Sequence, residues 1–140
     1  MSNPLYTTEI LRLAASLSEP HDLEREDGTA ELRSPTCGSR IAMAVQLDDE
    51  RRVERLSMHV QACAFGQASA ALVERHSRGR SHADVSDTML ALSHWLADNE
   101  DHPVHWPGIE ALSPARERRG RHGAILLPFR ALLAAIEDAR

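Results

Sequence analysis

The 140-residue chain is 42% hydrophobic, enough for one domain that buries its own core without disulfide or metal staples. Its 21 acidic and 16 basic residues leave a formal charge of -5, which argues against nucleic acid and anionic membrane surfaces as partners. The first residues lack the basic and long apolar regions of a signal peptide, and no apolar run approaches the roughly 20 residues of a membrane span, so the sequence predicts a cytoplasmic protein.

Thr7 or Thr8 can cap a first short helix, in which Ile10, Leu11, Ala14 and Leu17 recur at helical spacing. Residues Ser18 to Gly28, acidic and without apolar periodicity, read as a solvated loop, and Thr29 to Arg33 as a short strand. Beyond a Pro-Thr-Cys-Gly turn, Ile41, Met43, Val45 and Leu47 alternate with Ala42, Ala44 and Gln46. A DDER turn then separates them from Leu56, Met58 and Val60, which alternate with Ser57, His59 and Gln61, and this pattern predicts a hairpin. A helix with Phe65, Ala68, Leu72 and Val73 on one face follows, with Gly79 as its stop, which puts Cys63 where strand becomes helix. A further helix from about Ala83 carries Val85, Met89, Leu92, Trp95 and Leu96 until NEDHPVHWPG breaks it and opens an irregular connection. The last helix, from about Arg121, turns Ile125, Phe129, Leu132, Leu133 and Ile136 inward, and Pro128 within it implies a late start or a kink. The predicted fold class is α+β, a single domain over residues 1–140: a small antiparallel sheet of about three strands packed against N-terminal and C-terminal helices.

Two cysteines in a reducing compartment are open to three readings: buried core residues, metal ligands or reactive thiols. The order of three motifs bears on that choice: SPTCGS before one strand of a hairpin, QACAFGQASAAL entering the helix after the return strand, and RHGAILLPFRAL opening the last helix. Together with the N-terminal LYTTEIL, this order resembles the NifU/IscU-type family of iron-sulfur cluster assembly scaffolds, in particular its SufU-like branch. The resemblance covers most of the chain.

What the resemblance implies is a shallow site for iron or a [2Fe-2S] cluster, with Cys37 and Cys63 at the positions of the family's first two cysteines and a cysteine desulfurase as partner. The chain departs from the family pattern at two points. Ser39 stands where the family has aspartate, and the third cysteine falls on Ala124, or on Gly123 if His122 sets the register. A [2Fe-2S] cluster and a structural zinc each take four ligands. Two thiolates therefore need completion from a second subunit in a homodimer, from His122, which lies beside the vacated position, or from an exogenous thiol. At the helix start the backbone favours negative charge, which suits a thiolate at Cys63.

Other signals are read plainly. His59 falls on the strand face opposite Leu56 and Met58 and is assigned no role, and the remaining histidines show no zinc spacing. Trp95 and Trp106 read as packing residues, without the basic strip of a stacking platform. The run ARERRGRH is either a solvated loop or a docking segment for an acidic partner, and the LPPVK chaperone motif of the IscU branch is absent. With no nucleophile elbow, P-loop, HExxH or dinucleotide fingerprint, an enzyme is not expected. The leading expectation is an assembly scaffold that binds iron or a cluster through a reduced set of cysteines. The alternatives are an interaction or regulatory module that has lost metal binding, and a Zn2+-binding variant.

Overall fold

The computed structural model describes residues 6–35, 38–98 and 103–139. Three antiparallel strands, β1 (Gly28–Arg33), β2 (Arg40–Leu47) and β3 (Val53–Gln61), lie in sequence order, with Arg33 opposite Arg40 and Arg40 opposite Gln61. The predicted hairpin is present. Its turn is organised by Asp48, whose carboxylate accepts the Glu50 and Arg52 N–H groups, both at 2.9 Å, and an irregularity at Gln46/Leu47 absorbs the register shift beside it.

The alternation of β2 turns Ile41, Met43 and Val45 into the core, where Leu56 and Met58 of β3 meet them. Helices cover this face. The chain runs through α1 (Thr8–Ala15), the three strands, α2 (Ala64–His76), α3 (His82–Leu96), a 3-10 segment (Ile109–Ala115) and α4 (Arg119–Asp138). The long α4 packs on β1, β2, α2 and α3, and α1 packs on α2. The α+β expectation therefore holds.

Particular elements differ from the expectation. In α1 the Thr7 hydroxyl accepts the Ile10 N–H at 3.1 Å, as predicted, but the helix buries Ile10 and Leu13 while Leu11 is half exposed, and Leu17 packs on the core from beyond the helix end. Apolar identity alone does not say which side of a one-sided stripe meets the core. The connection before α4 is not wholly irregular: the 3-10 segment buries Ile109, Ala111, Leu112 and Ala115. Trp106, just before it, donates its ring N–H to the Leu72 carbonyl at 2.9 Å and meets Phe129 edge-on. Helix α4 starts two residues earlier than predicted and runs through Pro128 as one element. Proline removes one amide, the donor that would otherwise serve the Ala124 carbonyl four residues back, and the packing of ten buried residues along α4 outweighs that loss. Leu133, expected inward, is only partly buried, while Ala131 and Ala135 are fully buried.

Candidate metal and cargo site

The β1–β2 turn is closed at its base by two backbone bonds. The Ser34 N–H donates to the Ser39 carbonyl at 2.8 Å, and the Gly38 N–H donates to the Ser34 carbonyl at 3.1 Å. Gly38 has φ +72°, in the left-handed region, with open space where a Cβ would be, so its requirement is conformational and not steric. Ser39, at the position the resemblance assigns to aspartate, is buried, 3% exposed. Cys37, the first predicted ligand, lies outside the described residues, as does Thr36.

Cys63 is the N-cap of α2, in extended conformation (φ -67°, ψ 173°), half-buried, with a free thiol that makes no capping bond. Because Arg40 pairs with Gln61, the turn preceding β2 and the cysteine following β3 leave the ladder from the same end.

The position that the resemblance assigns to the family's third cysteine lies on α4. Ala124, 1% exposed, lies against Gly66 in the first turn of α2: a Cβ built on Gly66 would stand 3.5 Å from the Ala124 Cβ and 2.7 Å from the Ala62 Cβ. One residue on, the buried Ser69 hydroxyl donates to the Ile125 carbonyl at 2.6 Å and clips the two helices together. Gly66 was not singled out from the sequence, although a glycine inside a helical pattern is the usual mark of a close approach.

His122, the third candidate ligand, is engaged through one ring nitrogen. Its Nε2 lies 2.9 Å from the Ala115 carbonyl and 3.1 Å from the Arg116 carbonyl, at the end of the 3-10 segment. Between two acceptors that nitrogen must carry the proton, which leaves Nδ1 as the ring atom with a lone pair. Among the described residues, no three Cys, His, Asp or Glu side chains are grouped so as to hold a metal ion. The displaced titrations lie elsewhere. Burial first, then Arg75 and Arg80, lowers His76 at the far end of α2, and the Ser81 backbone N–H lowers Asp84 within the capping box of α3.

No protein-family profile and no curated protein sequence matches the chain. Solved structures do. The N-terminal part of a nitrogen-fixing NifU-like protein from Brucella abortus superposes with a TM-score of 0.87 at 26% identity, covering 96% of this chain and 94% of that one. This shared fold supports the resemblance to the NifU/IscU/SufU-type family. A protein from Fervidobacterium islandicum, provisionally described as an iron-sulfur cluster assembly scaffold for the SUF system, shares the fold with a TM-score of 0.80 at 20% identity over 94% of this chain and 96% of that one. A third structure, of a hypothetical protein, follows at 0.71 and 20% identity, covering 95% and 97%. In this fold the Gly38 turn and the Cys63 cap leave the sheet from one end, and Ser39 and Ala124 are buried. No helix among the described residues is long and apolar enough to cross a membrane.

Proposed function

We propose that this chain is a non-enzymatic scaffold or carrier of iron-sulfur cluster assembly in the cytoplasm, with iron or a [2Fe-2S] cluster as its cargo and Cys37 and Cys63 as its thiolate ligands. The observation that carries the reading is the exit of the Gly38 turn and of Cys63 from one end of the β2–β3 ladder in a NifU-type fold. Two thiolates do not fit a whole four-ligand site. The cargo is therefore shared, its remaining ligands coming from a second subunit, from His122 Nδ1 or from a small thiol, and its sulfur from a cysteine desulfurase.

Anaerobic reconstitution with ferrous iron and sulfide tests this on wild type, Cys37→Ala and Cys63→Ala, reading absorption, iron count and oligomer mass. A chromophore that needs both cysteines is expected, and iron binding indifferent to both substitutions would sink the reading. Zinc in place of iron is the outcome in which protein purified without chelators carries stoichiometric Zn2+ that either substitution releases.

The burial of Ala124 against Gly66 and the commitment of His122 Nε2 to two carbonyls favour a second reading. In it the fold serves as an interaction module of the assembly machinery and no longer holds metal. That reading expects desulfurase binding to survive substitution of both cysteines, and a pull-down that depends on them counts against it.

A further inference from the structure

The segment Glu117–Arg121, which runs into α4, carries four charged side chains whose surroundings differ sharply from those of Arg116 just before them. Arg116 is withdrawn: its Nε donates to the Trp95 carbonyl at 2.9 Å, its guanidinium lies 4.8 Å from the centre of the Trp95 ring, and its Nη2 meets Asp98 at 2.9 Å. Arg118 and Arg119 are exposed and Arg121 is half-buried, and none of the three guanidinium groups has a carboxylate, carbonyl or ring partner among the described residues. Glu117, the one carboxylate of the run, is exposed and bonds none of them, and the first turn of α4 contains no acidic residue. Elsewhere in this net-acidic chain, Arg25, Arg40 and Arg52 each have a carboxylate within 4 Å. The unpaired arginines stand within about 9 Å along the helix axis of Ala124, at roughly 1.5 Å rise per residue, and Ala124 lies against Gly66 in the first turn of the helix that Cys63 caps. An open cleft of about 890 Å³ adjoins them, lined by Thr7, Leu96, Arg116, Arg119 and His122 and also by the carboxylates of Asp98, which Arg116 pairs, and Glu117.

We propose that Arg118, Arg119 and Arg121 form a docking surface for an acidic, extended segment of a partner protein, with the cleft beside Arg119 receiving one of its side chains. Guanidinium groups without internal partners are matched by carboxylates, which they bind in bidentate fashion. The overall charge of -5 repels a polyanion the size of a duplex. Trp106 is 2% exposed and Arg116 lies over the Trp95 ring, so among the described residues neither tryptophan beside the patch offers a free platform for stacked bases. Among the described residues the large exposed apolar side chains are Tyr6, Leu11 and Leu90, none of them within 117–121, so this segment lacks the apolar anchors of a lipid surface. The docking does not depend on whether the cysteines carry cargo.

The test is fluorescence anisotropy with a labelled oligoglutamate peptide at low and high salt. It compares wild type, Arg118→Gln/Arg119→Gln/Arg121→Gln, and the control Arg12→Gln/Arg75→Gln/Arg78→Gln, which neutralises three other exposed arginines. Affinity is expected to fall about tenfold or more in the first variant, the equivalent of about 1.4 kcal/mol, and to lose its salt dependence. The control is expected to match wild type, with thermal midpoints showing that all three are folded. No binding by wild type, equal loss in both variants, or stronger binding to phosphatidylglycerol vesicles or duplex DNA at equal charge would overturn the proposal.

Discussion

Gly66 of α2 and Ala124 of α4 approach so closely that a Cβ on Gly66 would rest 3.5 Å from the Ala124 Cβ while pressing on Ala62 at 2.7 Å. Gly66→Ala sets helix propensity, worth about 1 kcal/mol in favour of alanine, against overpacking, worth about 1–3 kcal/mol. Overpacking is expected to win, because the Ala62 Cβ has no rotamer with which to retreat. A denaturant midpoint lower than wild type checks this.

The same contact separates two positions for a third thiol. Ala124→Cys places sulfur in a site 1% exposed, whereas Gly123→Cys places it at a half-buried position. In the Cys37→Ala/Cys63→Ala background, a thiol reagent is expected to label Gly123→Cys rapidly and Ala124→Cys only as the protein opens, as timed labelling and mass spectrometry would read.

Gly28 starts β1 beneath the end of α4. A Cβ there would overlap the Ala135 carbonyl oxygen and lie 2.9 Å from the Ala139 N–H nitrogen, both backbone atoms that no side-chain movement relieves. Gly28→Ala is expected to cost about 3 kcal/mol, the upper range of overpacking, and to lower the thermal midpoint more than Gly66→Ala does.

His76 gives the fold a pH dependence. Burial, followed by the charges of Arg75 and Arg80, holds its pKa below the ordinary histidine value, so the unfolded chain binds this proton more readily than the folded one. Its stabilising effect is complete above about pH 6.5 and falls away as pH drops from there toward the folded-state value. Urea midpoints across that interval should decline less steeply for His76→Gln than for wild type.

Element order, the hairpin and the position of Cys63 were legible because alternation with a period of two, followed by helical spacing, reports directly on which residues face a core. The 3-10 segment was not. Its seven residues, with Pro114 among them, carry too little periodicity, and it owes its place to Trp106 reaching the Leu72 carbonyl and to His122 tying its end to α4. Leu11 and Leu13 of α1 were exchanged for a similar reason, since a one-sided helix shows a stripe but not its centre. For the site, the glycine turn could be read from Pro-Thr-Cys-Gly. The employment of His122 Nε2 could not, because its carbonyl acceptors come from a segment whose conformation was not foreseen.

The closure of β1 by α4 also orders events during synthesis. Asp138, in the last turn of α4, accepts the Thr29 N–H at 2.9 Å, and Ala135 and Ala139 sit over Gly28, so the earliest strand is sealed by the last helix. More than a hundred residues separate these partners, a loop whose closure is entropically costly and slow. The hairpin can form while the chain is still growing, but its hydrophobic face stays uncovered until α4 has been made. The nascent protein thus passes through an interval in which the apolar side of its sheet is open to chaperones and to neighbouring chains.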